Sequence, residues 1–365
     1  MSEATSRLRI DWRALTMVGA LLAIWVVFSI TTEGTFLLPR NLSLLARQMS
    51  VTSILAVGMV LVIVAGQIDL SVGALAGLLG ATAAIAHTSR GFPLAAAFLA
   101  ALTLGALLGM LQGSLVAYLR IPPFIVTLGG MLLFQGSLLG STGGVSVTPP
   151  RAFLLVGQSY VPKALGWALA ALVAVALLAL AARAAGATRW RYAFFALLAL
   201  VFTAVMNAYE GVPVPVLIVL ALASLLTVLA LHTPFGRHLY AIGGNRDAAF
   251  YSGISIEKHI VGVFTLMGLL AGVAGIVLTA RVGSASADAG RTMELDAIAA
   301  AVIGGTSLLG GQGTVWGALL GGLVMASLDN GMSLMNTEAF WQPIIKALIL
   351  VAAVAVDMAG RKASH

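Results

Sequence analysis

The sequence predicts an all-α polytopic membrane protein, a bundle of about 10–12 transmembrane helices with possible re-entrant segments. Hydrophobic residues make up 60% of the 365 residues and charged residues only 9%. Soluble domains contain about 45–50% apolar and about 25% charged residues. A third observation is the series of long apolar runs along the chain. Residues 1–365 are therefore expected to form a single transmembrane domain.

The apolar runs follow one another at lengths that match a crossing, which needs about 20 helical residues. They lie near residues 14–31, 49–65, 70–87, 93–119, 122–140, 164–183, 190–208, 213–231, 260–280, 294–309, 314–331 and 341–357. Two runs are irregular: 122–140 opens with two prolines, and 294–309 opens with acidic residues. Either is a candidate for a re-entrant or broken helix that lines a cavity.

The distribution of lysine and arginine predicts the orientation. With an even number of spans and the N-terminus inside, twelve cations fall on the inner side and seven on the outer side. Inner loops carry the excess of positive charge in membrane proteins, so both termini are expected in the cytoplasm. The net charge of +7 is scattered over these loops, which argues against a nucleic-acid partner.

The chain lacks the residues that several functions would need. The chain has no cysteine, which excludes disulfides and thiol chemistry. Its five histidines show no pairwise metal spacing, so no metal site is predicted; they are His87, His232, His238, His259 and His365. None of the four lysines follows a phosphate-binding G-x-x-x-x-G frame, so the chain is expected to bind no ATP and no other cofactor.

Glycines recur at four-residue spacing, which places them on one helix face. The two longest series are Gly105, Gly109, Gly113 and Gly313, Gly317, Gly321; shorter pairs are Gly73 and Gly77, Gly136 and Gly140, and Gly268 and Gly272. Removing side chains lets helix backbones approach closely in lipid. We expect tight helix contacts at these faces.

A polar segment, about residues 233–258, interrupts the apolar pattern with the sequence TPFGRHLYAIGGNRDAAFYSGISIEK. Pro234 and Gly236 are expected to end the preceding span, and Gly243 and Gly244 to break the chain again. The topology above places this segment in the cytoplasm. It is therefore a candidate contact for another protein.

The centre of this segment predicts a short helix over residues 246–252. Asn245 is a good N-cap, Asp247 suits the positive end of the helix, and Gly253 closes it. The helix is expected to present small and aromatic side chains to a groove of a partner: Ala248, Ala249, Phe250 and Tyr251. A helix that merely connects two spans is the alternative.

Four stretches together resemble the permease subunits of bacterial ATP-binding-cassette importers for monosaccharides, of the ribose, galactose, arabinose and xylose type. They are GQIDLSVGALAG at 66–77, TPFGRHLYAIGGNRDAAFYSGI at 233–254, GLLAGVAGI at 268–276 and ELDAIAAAVIGGTSLLGGQGTVWGALLG at 294–321. The resemblance runs from about residue 46 to 357. Residues 164–213 supply two spans found in the xylose-type permeases, so the chain looks closest to that branch.

The resemblance implies a location in the bacterial cytoplasmic (inner) membrane and three kinds of partner: an ATPase subunit that binds ATP, a periplasmic sugar-binding protein and a second permease copy. The polar segment is similar to the family's cytoplasmic coupling helix, which sits in a cleft of the ATPase. The residues that match that pattern are Gly243, Gly244, Asn245, Arg246, Asp247, Ala248, Ala249 and Gly253.

A neutral sugar needs hydrogen-bonding groups at membrane depth, and a few polar residues lie there. The candidates for the substrate pathway are Gln67, Asp69, Ser71, Gln135, Glu294, Asp296, Thr306, Ser307 and Gln312. A carboxylate costs about 2.5–3.5 kcal/mol at the centre of a spanning helix, so those present usually have a function or lie at the interface. For Asp69 and Asp296, helix capping or an interfacial position is the alternative.

Other classes fit parts of the sequence. An ion-coupled secondary transporter would also be glycine-rich and polytopic, with Asp69 or Asp296 as a proton carrier. A permease for branched-chain amino acids or nucleosides is the nearest alternative within the same transporter class. An intramembrane enzyme ranks last, because no cluster of acid, base and nucleophile is visible.

Overall fold

The fold is all-α, as predicted. The computed structural model describes residues 12–338 and 340–362, and within these ranges the extended pairings are two isolated bridges. The helices are α1 Trp12–Thr31, α2 Pro39–Val64, α3 Val72–Thr88, α4 Leu94–Ala117, α5 Pro123–Thr142, α6 Arg151–Gln158, α7 Lys163–Arg183, α8 Ala187–Asn207, α9 Val214–His232, α10 Pro234–Gly244, α11 Arg246–Tyr251, α12 Ile256–Val282, α13 Met293–Ile303, α14 Val315–Leu334 and α15 Trp341–Lys362.

The membrane class is confirmed by the length and composition of the helices. Among the described residues, seven helices are long and apolar enough to cross a membrane: α2, α4, α5, α7, α8, α9 and α12. Two shorter apolar helical stretches cover Met17–Thr31 and Val72–Thr88. The chain is a multi-pass membrane protein.

The chain divides into two compact units, of which the first contains the N-terminal part up to Leu44 and Tyr160–Pro213. The spans predicted at 164–183 and 190–208 are α7 and α8, which pack against each other. Asn207 Nδ2 donates to the carbonyl oxygen of Lys163 at 3.2 Å, closing one end of this pair.

The second unit contains Leu45–Ser159 and the chain from Val214 onward. Its central element is α12, a helix of 27 residues that packs against α3, α4 and α6. At about 1.5 Å per residue this helix is about 40 Å long, enough to cross the membrane completely. Its N-terminal end follows the polar segment, so one rigid helix joins that segment to the opposite end of this unit.

The predicted glycine contact of α4 is confirmed at the backbone of α12. A Cβ added to Gly105 or Gly109 would collide with the carbonyl oxygens of Gly268 and Phe264, respectively. A Cβ added to Gly113 would also come too close to Val261 and Phe264, although by less. The two backbones touch because these positions carry no side chain.

Helix α13 is much shorter than the span predicted at 294–309. It runs over eleven residues, Met293–Ile303, and rises about 16 Å, half of the hydrocarbon thickness. Gly305, Gly310 and Gly311 have positive φ angles of 89°, 86° and 72°, and the backbone is non-helical up to Thr314. A full span here is wrong, and the alternative of a broken helix is confirmed.

The other irregular run, 122–140, is continuous. Helix α5 extends from Pro123 to Thr142, with Pro122 at the N-cap and Pro123 at the first helical position. Proline is tolerated there because the first helical amides have no partner within the helix. A broken helix at this position is therefore wrong.

Helix α6, Arg151–Gln158, was not predicted from the sequence. It has only eight residues, too few for a spanning pattern. Phe153 and Gly157 are buried, and Gln158 Nε2 donates to the carbonyl oxygen of Ala280 at 3.0 Å. This helix thus caps the last turn of α12, on the end opposite the polar segment.

We predict that Gly105→Ala destabilises the protein whereas Gly136→Ala does not. The methyl group at position 105 has to push α4 away from the Gly268 carbonyl, and overpacking of this kind costs about 1–3 kcal/mol. Position 136 has open space around it, so alanine there gains helix propensity without a collision. Thermal unfolding in detergent measures the difference, and equal melting temperatures for the two variants would contradict the close contact.

Candidate functional site

The polar segment begins with a helix, α10. Thr233 caps it, because its Oγ1 accepts a hydrogen bond from the Gly236 amide at 3.3 Å. The chain break expected at Gly243 and Gly244 is present directly after them: the two glycines are the last residues of α10, and Asn245, which follows, has an extended backbone.

The short helix predicted after this break is present as α11, Arg246–Tyr251. Asn245 is its N-cap, and Oδ1 of Asn245 accepts a hydrogen bond from the Ala248 amide at 2.9 Å. Gly253 follows with a φ of 81°, a conformation that suits glycine. The chain then reverses into α12, so α10, α11 and α12 form one continuous turn.

One residue of α11, Ala249, does not lie on the exposed face that the sequence predicted. Ala249 is only 4% exposed, because α11 packs on α10 and α12. The expectation that Ala249 faces a partner's groove is therefore wrong. Phe250 and Tyr251 are 63% and 86% exposed. Two adjacent exposed aromatic side chains, flanked by exposed Arg246 and Asp247, form the free surface of this helix.

Gly243 makes the closest contact of the polar segment. A Cβ on this residue would collide with the carbonyl oxygen of Val64 and would approach the Gly311 amide. The Gly311 amide donates to that same carbonyl at 2.9 Å, and Gly310 lies against Gly243. We call this three-way backbone contact the glycine junction. It joins the end of α10 to the end of α2 and to the loop between α13 and α14.

Tyr240 adds a second link one turn earlier on α10. Its hydroxyl donates a hydrogen bond to the carbonyl oxygen of Gly313 at 2.8 Å. Burial raises the pKa of Tyr240, so the hydroxyl keeps its proton and stays a donor. Helix α10 is therefore fixed to the loop before α14 at two successive turns.

The segment between α2 and α3 carries three predicted pathway residues, Gln67, Asp69 and Ser71, all buried. Asp69 Oδ1 accepts hydrogen bonds from the Ser71 amide at 2.8 Å and from the Ser71 hydroxyl at 2.7 Å. Gln112 of α4 completes the cluster, since its Nε2 donates to the Ser71 hydroxyl at 3.0 Å. Sequence reasoning missed Gln112, although it directly precedes Gly113 on the packed part of α4.

Glu294 lies in the first turn of α13 and is 7% exposed. Its Oε2 has no hydrogen-bond partner among the described residues, and it lies against the backbone of Gly73 in α3. It is near enough to Asp69 and Asp296 for their charges to interact. The structure therefore gathers four of the predicted pathway residues, from two short non-spanning stretches, around the start of α3.

Asp296 instead takes part in an ion triad with Lys346 and Asp329. Lys346 Nζ lies 3.0 Å from Asp296 Oδ2 and 2.9 Å from Asp329 Oδ1. The three residues come from α13, α14 and α15. Burying two carboxylates around one ammonium is tolerated because each carboxylate is paired. The triad ties three helices together.

The remaining candidates for the substrate pathway lie apart from the residues at the start of α3. Thr306 is 1% exposed and lies beside Gly313, next to the glycine junction. The Ser307 amide donates to the backbone carbonyl of Gln312 at 2.9 Å, which closes the loop after α13, and the Gln312 side chain is exposed. Gln135 lies half-buried on α5. The first three belong to one loop, whereas Gln135 belongs to a different helix.

A cavity of about 350 Å³ is lined by one residue from each of the two predicted sets. Gln67 of the pathway set and Arg246 of the coupling set both line it, together with Arg120 from the turn between α4 and α5. Arg120 has a positive φ of 55°, which turns the chain sharply at the edge of this cavity. The polar segment thus borders the space into which the α2–α3 segment opens.

Comparison with known proteins identifies the class. Residues 41–354 match the family described as branched-chain amino acid transport system / permease component, and the chain belongs to this family. The xylose transport system permease protein XylH of Escherichia coli (strain K12) is 45% identical, over 97% of this chain and 94% of the relative. XylH of Haemophilus influenzae is 44% identical, over 97% and 98%.

A third relative is the ribose import permease protein RbsC of Escherichia coli (strain K12), 37% identical over 93% of this chain and 92% of the relative. The resemblance to permeases of ATP-binding-cassette monosaccharide importers, xylose type, is thereby confirmed. The chain is a permease component of a larger transport system and not an enzyme. No solved structure matches it significantly.

We predict that Lys346→Met lowers the stability of the folded protein. The change leaves Asp296 and Asp329 as neighbouring carboxylates without a cation. Breaking a buried pair costs about 3–5 kcal/mol, and we expect the lower value because Asp329 is one-third exposed. Lys163→Met, at an exposed lysine, is the control. Thermal unfolding in lipid nanodiscs measures both, and an unchanged melting temperature for Lys346→Met would show that the triad stabilises nothing.

Proposed function

We propose that this permease carries a pentose, xylose in particular, into the cell. The observation that carries the proposal is the 45% identity to a xylose transport permease over 97% of the chain. The family is named for branched-chain amino acids, whereas the three relatives above are named for the pentoses xylose and ribose.

The polar residues at the start of α3 suit a neutral polyol. Asp69 is satisfied by Ser71, and Gln112 offers an amide, so this cluster presents hydrogen-bonding groups without requiring a charged cargo. Gln67, Asp69, Ser71, Glu294 and Thr306 are our proposed contacts along the sugar's route, with Gln135, Asp296 and Gln312 more distant from it. Such contacts need only be weak, since a passage site must release its cargo.

ATP supplies the energy through a separate ATPase subunit, and α11 is its proposed contact. Phe250 and Tyr251 suit a cleft, because exposed aromatic side chains gain most from burial at an interface. An ATPase that binds two arrangements of α11 with different affinity would shift the permease between them. The glycine junction would carry that movement to the α2–α3 segment and to the loop after α13.

The further partners follow from the same class of importer. A periplasmic sugar-binding protein would deliver xylose at the end of the bundle opposite α11. Each chain has one α11, so a two-fold pair of permeases would present two equivalent helices to two ATPase domains. We therefore propose a homodimer in the bacterial inner membrane.

We predict that the double change Phe250→Ala and Tyr251→Ala abolishes transport but not folding. Both side chains are largely exposed, so their removal leaves the packing of the permease intact. In proteoliposomes with the ATPase and the binding protein, ATP hydrolysis should no longer respond to xylose-loaded binding protein. The control is Phe194→Ala, which removes a phenylalanine that is 60% exposed on α8.

Full xylose-stimulated hydrolysis by the double variant would exclude α11 as the ATPase contact. The sugar itself is tested in the same proteoliposomes with the unmodified chain. Uptake of labelled xylose should be blocked by excess unlabelled xylose and not by leucine or adenosine. Competition by leucine instead would favour the amino-acid alternative.

The proposed orientation predicts opposite labelling of two serines in this cysteine-free chain. Ser252 follows α11 and Ser89 follows α3, at opposite ends of the second unit, and both are exposed. With α11 in the cytoplasm, Ser89→Cys should react with a membrane-impermeant thiol reagent in intact cells, and Ser252→Cys only after the cells are opened. Labelling of Ser252→Cys from outside would invert the topology.

A further inference from the structure

Two histidines meet beside the coupling helix, although 21 positions separate them in the sequence. His238 lies on α10 and His259 on the first turns of α12, and the turn through α11 brings them together. His238 Nδ1 and His259 Nε2 are 3.0 Å apart. The two histidines have no metal-binding spacing in the sequence, but folding makes them neighbours.

The ring of His259 is held in one orientation. Its Nδ1 lies 2.7 Å from the carbonyl oxygen of Ser255. A carbonyl only accepts hydrogen bonds, so Nδ1 carries the proton and Nε2 keeps its lone pair. Phe235 stacks on the ring, with centroids 5.5 Å apart and an angle of 16° between the planes. The lone pair of Nε2 therefore faces His238.

This arrangement matches that of histidines that ligate metals. Such histidines usually donate their second ring N–H to a carbonyl or carboxylate, as His259 does to Ser255. Two nitrogens at about 2.0–2.1 Å from a tetrahedral zinc ion lie about 3.3 Å apart. The observed 3.0 Å is within a few tenths of an ångström of that separation. His238 needs only to carry its proton on Nε2 for Nδ1 to become the second ligand.

We propose that His238 and His259 bind a borderline divalent transition-metal cation such as Cu²⁺, Ni²⁺ or Zn²⁺, the ions that imidazole prefers. The cation replaces the proton shared by the two rings and links α10 to α12. Among the described residues no cluster of three or more metal-ligating side chains occurs, so water completes the coordination. Binding is accordingly weaker than at a four-ligand structural zinc site, and it holds α10 in one position against α12.

The test uses the full chain, purified in detergent without a polyhistidine tag. Titration calorimetry with nickel chloride should show one equivalent bound per chain. His238→Gln and His259→Gln should each weaken binding by at least about tenfold. His87→Gln and His232→Gln are the controls, and they should bind nickel like the unmodified chain. Melting temperatures without metal establish that the variants are folded.

Electron paramagnetic resonance with one equivalent of Cu²⁺ counts the ligands directly. The unmodified chain should show coupling to two imidazole nitrogens, and each of the two single variants to one. Absence of stoichiometric nickel binding by the unmodified chain would overturn the proposal. So would equal nickel binding by folded His259→Gln, or a copper spectrum that the two variants leave unchanged.

Discussion

The packing of the polar segment depends on the contact of Gly243 with the Val64 carbonyl. Because position 243 has no side chain, α10 reaches the backbone at the end of α2 and the Gly311 amide at the same point. The Tyr240 hydroxyl bonds to Gly313 of the same loop one turn earlier, and α11 follows directly after this end of α10. A single missing methyl group therefore sets the position of the surface proposed to meet the ATPase.

The junction also explains how irregular backbone is accommodated within a membrane protein. The residues between α2 and α3 and between α13 and α14 are not helical, and lipid offers their amides and carbonyls no partners. The loop after α13 bonds to the last residue of α2 through the Gly311 amide and to α10 through the Tyr240 hydroxyl, whereas the amides of Gly66 and Gln67 bond back to carbonyls of α2. These two stretches carry or adjoin the polar side chains of the proposed sugar route. The same contacts that satisfy the backbone thus link that route to α11.

The sequence predicted features whose signals are local. Apolar runs located most spans, and Asn245 followed by Gly253 located α11, because caps and hydrophobic lengths act within a few residues. The two glycines located the end of α10 to within one residue, but the sequence did not show that Gly243 contacts the backbone of Val64, because that contact joins distant segments. The inward position of Ala249, the bond from Gln112 to Ser71 and the pairing of Asp296 with Lys346 arise between distant segments. Those contacts exist only once the helices are packed.

Amide hydrogen exchange at Gly311 tests the central contact most directly. Gly243→Ala should open the junction and break the bond from Gly311 to Val64, whereas Gly244→Ala has open space around the new methyl group. We expect exchange of the Gly311 amide to rise about tenfold in Gly243→Ala, equivalent to about 1.4 kcal/mol, and to be unchanged in Gly244→Ala. Equal protection of Gly311 in both variants would show that Gly243 does not hold α10 against the two loops.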